Sequence, residues 1–339
     1  MALVIAGAYG NANNASAEHC TIWKFAVISD TQGDARGRDN ISCINNEILE
    51  SIAEDIAAEK PDLVLVSGDL VNGWIRNGGT EYAVQYKNWK NAMKPVYSLG
   101  IKVFAVRGNH DSGPERLVLT PLPPHLEPTP GSLDLLKKAF EKTIIEQYTP
   151  LNGPEKEMGY TYSIVHKNAC FIGLDQYAEG QHAVNQKWLD RQLSENRQIH
   201  LFVFGHEPAF ETDHKDNLSF YPEKRDRFWD SIGKAGGRIY FCGHDHFYNR
   251  ALIPDGKGNR IWQIIGGTGG GRLRKWSGSY KEGARVKCEF HNDDLHGYIL
   301  AAVDGRDVKV EWKAIVDVPA RKWQILDAFT CSAASHITH

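Results

Sequence analysis

The chain has 339 residues, 42% of them hydrophobic and 24% charged, with a formal net charge of -3 and an isoelectric point near 6.5. That length accommodates a large α/β domain with an ample core, and the near-neutral charge excludes a global pull toward nucleic acid or anionic membrane. Recognition of an anionic ligand must therefore be local, and no nucleic-acid-binding signature is expected.

At the N-terminus a short apolar stretch, Ala2 to Tyr9, precedes a run ending Ala15-Ser16-Ala17, an A-x-A-like cleavage pattern before Glu18. Residues 1–17 thus read as an export signal lacking its positive region, or as a frayed tail. The first reading implies a secreted or periplasmic protein, the second a cytoplasmic one. No stretch reaches the roughly eighteen uninterrupted apolar residues of a membrane helix. The six cysteines, Cys20, Cys43, Cys170, Cys242, Cys288 and Cys331, form no C-x-x-C pair, which argues against a zinc ribbon or thioredoxin-like chemistry.

Hydrophobic pattern and breakers then give a repeating order. A strand over 22–29 is followed by a helical pattern over 40–59, a strand over 62–67, a helix over 80–93 and a strand over 102–107. Apolar runs alternating with amphipathic helices imply a sheet buried on both faces by βαβ crossovers. Residues 112–131 carry six prolines and break the rhythm as a long loop. A helix over 132–147, strands near 160–166 and 169–174, a helix over 185–196, a strand over 200–204, a helix near 222–235 and a strand over 238–242 follow. The remainder reads as β hairpins, 247–253, 260–265, 296–303 and 306–316, interrupted by a glycine-rich, charged stretch over 266–294. One domain over 20–318 is expected, with insertions near 112–131 and 266–294 and a C-terminal tail over 319–339.

Each strand of the repeating unit ends in a polar cluster: SDTQ (29–32), SGDLVN (67–72), RGNHD (107–111), GHEP (205–208) and CGHDH (242–246). Taken alone, GNHD is a polar turn, because Gly, Asn and Asp are the residues turns select. Ligands of open α/β sheets, however, sit beyond the carboxyl ends of the strands. Asp30, Gln32, Asp69, Asn109, His110, His206, His244 and His246 are therefore expected in one crevice. Carboxylate, amide oxygen and imidazole without thiolate suit Mn, Fe, Zn or Co, and the number of candidate ligands exceeds what one tetrahedral ion uses. Two metal ions follow.

The ordered set D-x-Q, GD, GNHD, GH and GH-x-H, from about Trp23 to His246, resembles the calcineurin-like metallophosphoesterases. The resemblance implies two mixed β-sheets packed face to face and flanked by helices, a four-layer αββα fold. It implies a first metal on Asp30, Gln32, Asp69 and His246, and a second on Asp69, Asn109, His206 and His244. His110 would stay off the metals, facing the leaving group. The implied reaction is hydrolysis of a small phosphorylated substrate, a phosphomonoester or phosphodiester, by in-line attack of a metal-bridging hydroxide. Metal coordination lowers the pKa of water from about 15.7 toward about 7, which supplies hydroxide at neutral pH.

Three arginines, Arg107, Arg250 and Arg272, are candidate phosphate clamps. Gln32 stands where the family usually has His, which predicts weaker metal binding and a preference for Mn, Mg or Fe over Zn. Asn72 stands where protein Ser/Thr phosphatases carry the carboxylate that orients the catalytic His, and where purple acid phosphatases, which the closing blocks also resemble, carry a metal-binding Tyr. GGTGGGRLR (266–274) lacks the Lys-Ser/Thr of a P-loop and reads as a flexible rim loop. Trp74, Tyr177, Phe210 and Tyr248 flank site loops as candidate stacking residues. The rival reading is a weak or inactive metal-binding scaffold, with Gln32 marking decay of the site.

Overall fold

The computed structural model describes residues 22–34, 41–73, 80–113, 132–178 and 180–333. The segment read as an export signal, Trp74 and nearly all of the proline-rich insertion lie outside the described residues.

Two mixed sheets form the centre. The first runs β13 (Lys322–Ser332), β12 (Asp307–Asp317), β11 (Gly297–Asp304), β1 (Trp23–Ile28), β2 (Leu63–Ser67), β3 (Lys102–Val106). The second runs β10 (Lys287–Asn292), β8 (Tyr248–Pro254), β9 (Arg260–Gly266), β7 (Ile239–Cys242), β6 (His200–Phe204), β5 (Ala169–Gly173), β4 (Tyr162–His166). β1, β2 and β3 are parallel, as are β5, β6, β7 and β9; the hairpin strands join antiparallel.

Alternation along each strand sorts side chains into layers. Phe25 and Val27 of β1 point inward with Phe171, Phe202 and Phe241 of the second sheet, forming the core between the sheets. Phe25 lies 5.1 Å from Phe171 and 4.8 Å from Phe202 between ring centroids. Ala26 and Ile28 point outward, under α1 (Asn46–Glu59), α2 (Tyr82–Ala92), α3 (Lys94–Tyr97) and α5 (Ser132–Phe140). α5 continues through a π-turn, Glu141–Ile145, into α6 (Glu146–Tyr148). Ile172, Val203 and Tyr240 face the helices α7 (Gln186–Glu195) and α8 (Pro222–Lys234). The layers are helix, sheet, sheet, helix, as the resemblance implies. Among the described residues no helix is long and apolar enough to cross a membrane.

Three boundaries differ from expectation. α1 starts at Asn46 rather than near residue 40, because the Asn45 side chain caps it by accepting from the Ile48 amide. The stretch 266–294 contains β10. The segment expected as a tail holds the edge strand β13, whose side chains are mostly solvent-facing and so give little hydrophobic signal.

Candidate metal centre

The parallel strands deliver their last residues to one end of the molecule, between the sheets. Asp30 follows β1, Asp69 follows β2, Asn109 and His110 follow β3, His206 follows β6, and His244 and His246 follow β7. GNHD opens a one-turn helix, α4 (Asn109–Ser112), so the turn and the site are the same structure. Asp30, Asp69 and His244 all have positive φ, at 56°, 52° and 70°. Left-handed backbone costs an L-residue on the order of 1–2 kcal/mol, and such conformations gather where function requires them.

All seven expected ligand residues come together in two clusters. In the first, Asp30, Asp69 and His246 offer ligand atoms within 4.8 Å of one another. Gln32 Nε2 lies 3.0 Å from Asp69 Oδ2 and 3.1 Å from His246 Nε2. Its amide oxygen, the expected ligand atom, is buried without a hydrogen-bond partner. A half-turn of the terminal amide exchanges the two atoms and turns the oxygen inward. In the second cluster, Asn109 Oδ1 lies 3.0 Å from His206 Nε2 and 3.1 Å from His244 Nδ1, and the two nitrogens are 3.2 Å apart. Such spacings would let the three donors share one ion. Asp69 Oδ2 is also 3.5 Å from His206 Nε2, so a single carboxylate oxygen touches both clusters. The donor set fits two borderline-hard divalent ions.

The electrostatics of these side chains point the same way. Burial pushes Asp69 well above the ordinary carboxylate range, and the charges of Asp30 and Asp111 push it further. Burial also acts to raise Asp30, but the His246 hydrogen bond and the charge of His206 hold it at about 2. Burial lowers His206 to about 3. Burial acts to lower His244, but the Asp216 carboxylate, 3.5 Å from Nε2, and the charges of Asp245 and Glu207 raise it to about 10. Two like carboxylates and two opposed imidazoles buried together are what bound cations would relieve.

His110 is set apart. Its Nδ1 lies 2.5 Å from the Asn72 carbonyl, which can only accept, so the proton sits on Nδ1 and Nε2 faces the cleft. The main chain of Asn72 thus takes the orienting role that the missing carboxylate would fill. Burial lowers His110 to about 4, partly offset by that carbonyl. Asp111, next along, braces the loop by accepting from the Gly108 and Leu70 amides and from Tyr86 Oη.

The arginine expectations need correction. Arg107 is buried, forms a bidentate pair with Asp175 at 2.7 and 3.0 Å and stacks over Tyr160, which ties it into the scaffold. Arg250 is buried and bidentate to Asp327 at 2.6 and 2.8 Å. Both are structural braces rather than clamps. Arg272 is exposed, and its carbonyl oxygen accepts from His246 Nδ1 at 2.9 Å. Phe210 and Tyr248 are core residues; Tyr248 stacks on Trp312 at 4.5 Å. Tyr177 alone among the described candidates approaches the centre, its ring 6.4 Å from that of His206.

The glycine run is no flexible rim either. Residues 266–271 are buried, with the Gly269 and Gly271 amides donating to the carbonyls of Ser29 and Asp30. A Cβ on Gly271 would stand 2.9 Å from the His246 ring, so glycine is what lets this backbone pass behind the ligand.

Sequence reasoning missed a set of supporting residues. Gln176 accepts from the His206 and Glu207 amides at 2.7 Å each. Asp245 turns away from the centre and accepts from the His214 amide and ring at 3.1 and 2.7 Å. Asp216 stands 3.5 Å from His244 Nε2. Asp245 was visible inside GHDH; Gln176 and Asp216 carry no local signal, because only the tertiary fold brings them there.

No curated protein matches the sequence. Among solved structures, the chain superposes on purple acid phosphatase PPD1 from yellow lupin (Lupinus luteus) seeds with a TM-score of 0.67 at 17% identity, covering 92% of this chain and 54% of that one. It superposes on PhoD with a TM-score of 0.67 at 14% identity, covering 92% and 70%. For a dimetal phosphatase from Danio rerio the TM-score is 0.54 at 14% identity, covering 92% and 99%. The chain therefore spans about half the length of the lupin enzyme, and at these identities the likeness is one of fold. The calcineurin-like phosphoesterase family model matches residues 24–248, two-thirds of the chain and every strand-end cluster of the centre. The chain belongs to the calcineurin-like phosphoesterase family.

Proposed function

We propose that this protein is a binuclear metal-dependent hydrolase of small phosphomonoesters or phosphodiesters. The observation that carries this reading is the single Asp69 oxygen shared by the two ligand clusters, with the His110 ring beside it, Nε2 4.0 Å from that oxygen. Asp30, Gln32, Asp69 and His246 would hold one ion, and Asp69, Asn109, His206 and His244 the other; Mn, Fe and Zn suit the donors. When bound, the ions supply positive charge for phosphoryl oxygens and lower the pKa of a water.

The chain's own residues do the rest. Asp69 and Asp30 are the two buried carboxylates against which that charge is balanced. Asn72 and the backbone hold His110 with Nε2 toward the cleft, 4.0 Å from Asp69 Oδ2. Burial lowers this imidazole to about 4, which favours the neutral form near pH 7. A phosphate anion alongside it would favour the charged form, and Nε2–H could then pass its proton to the departing oxygen.

The test is hydrolysis of p-nitrophenyl phosphate and bis-p-nitrophenyl phosphate with added Mn²⁺, with metal content measured on the same protein. Turnover that disappears in His110→Ala while both ions remain is the expected result. Full metal loading with no turnover on either substrate, or on a panel of nucleotides, would leave the scaffold reading in its place.

A further inference from the structure

We propose that Asp216 is a positioning residue for the second metal site: its carboxylate takes the Nε2–H of His244 and so presents Nδ1 as the donor atom. This rests on the reading of His244 as a ligand.

Four imidazoles line the centre, and three are oriented alike. His110, His206 and His246 each set Nδ1 against a backbone carbonyl, of Asn72, Ser67 and Arg272 respectively, at 2.5, 2.8 and 2.9 Å. A carbonyl cannot donate, so each keeps its proton on Nδ1 and turns Nε2 toward the cleft. His244 is reversed. Its main-chain N–H is tied to both carboxylate oxygens of Asp30, at 3.1 and 3.0 Å, and its backbone is left-handed. That anchoring turns Nδ1 inward, 3.1 Å from Asn109 Oδ1 and 3.2 Å from His206 Nε2.

An imidazole that offers Nδ1 must carry its proton on Nε2, and a buried N–H needs an acceptor. The Nε2 of His244 is buried and makes no hydrogen bond among the described residues; the carboxylate oxygen set against it is Asp216 Oδ1, at 3.5 Å, which a small movement of the loop brings into bonding range. Metal-binding histidines are commonly held this way by a carboxylate on the far nitrogen.

The loop after β6 that carries Asp216 is registered on the same tripeptide as the ligand. Asp245, between His244 and His246, accepts from Thr212 Oγ1 and from the amide and ring of His214. Arg274 pins the loop from outside, with Nε 3.0 Å from Asp213 and Nη1 2.7 Å from His214 Nε2. The guanidinium lies beside Asp213, His214 and Asp245, whose ligand atoms gather within 4.8 Å of one another, and its positive charge disfavours a cation among them. The His214 ring, 4.6 Å from that of His244, closes the remaining side.

The test compares wild type with Asp216→Ala, Asp216→Asn and, as a control on the same loop, Asp213→Ala. Stepwise Zn²⁺ affinities are measured by chelator competition, and the His244 Nε2–H is followed by ¹H–¹⁵N spectra of the Zn²⁺-loaded protein. In Asp216→Ala one of the two ions should bind about 10–100-fold more weakly, the other should be unchanged, and the Nε2–H signal should be lost to exchange. Asp216→Asn, whose amide oxygen still accepts, should retain the signal and fall between. Wild type and Asp216→Ala holding two ions equally tightly, or Asp213→Ala weakening the same ion as much, would overturn the proposal while the function stands. A wild type that binds fewer than two ions would overturn the reading of His244, and this proposal with it.

Discussion

His110, His206 and His246 each have Nδ1 held by a backbone carbonyl, and the partner of that nitrogen decides what a substitution does. His110 is held by the main chain of Asn72, whose side chain points elsewhere, to the Gly33 carbonyl. Asn72→Ala should therefore keep kcat near the wild-type value, since the carbonyl survives the change. His110→Ala should lower kcat by about 10²–10⁴-fold with metal content intact. Asn109→Ala should lose one equivalent of metal, because its Oδ1 sits 3.0 and 3.1 Å from the two imidazole nitrogens of its cluster. Steady-state kinetics with metal analysis on each purified variant checks all three. A large kcat loss in Asn72→Ala would mean that the side chain, not the carbonyl, orients His110.

Strand ends and the turns behind them set the position of these groups. Gly108 joins β3 to α4 against the β2 turn, where a Cβ would lie 2.1 Å from Asp69 Oδ1 and 2.6 Å from the Asp69 amide. Neither can retreat, because Asp69 Oδ1 accepts the His110 amide at 2.8 Å. Gly108→Ala should cost on the order of 1–3 kcal/mol of stability and displace Asp69 from both clusters. Urea denaturation together with metal content measures this, and a stable, fully metallated Gly108→Ala protein would show that the two turns can separate. Gly271→Ala should be milder, since the atom it meets belongs to a side chain, the His246 ring.

At the scale of the molecule, one sheet supplies Asp30, Asp69 and Asn109 and the other His206, His244 and His246. Bound ions would thus join the sheets at the end where the phenylalanine core between them stops. A chelator should lower Tm, by the equivalent of about 2.7 kcal/mol for each ion present at a hundred times its Kd. Differential scanning calorimetry with and without chelator reads this directly, and an unchanged Tm would mean that the ions do not brace the sheets.

The sequence made the repeating half of this architecture legible. Continuous Val, Ile and Phe runs mark strands buried on both faces, and their polar ends mark the loops that meet. What stayed hidden depends on distance in space rather than on pattern. β13 packs too little apolar surface to announce itself, and Arg107 and Arg250 looked free because Asp175 and Asp327 are far away in sequence. Asp216 reaches His244 only once the second sheet is assembled. Convergence of the ligands could be read from strand order; the hydrogen bonds that orient them could not.

The pairing of β1 with β11 has a consequence for the order of folding. Trp23 is among the earliest described residues and its partner across the ladder is Val303, so one side of β1 has no strand to bond until β11 has been synthesised. Until then β1 offers an open, apolar edge of the kind that recruits other chains. The first sheet can close only after the strands of the second have been made, which gives a nascent chain halted before Gly297 a route to aggregation.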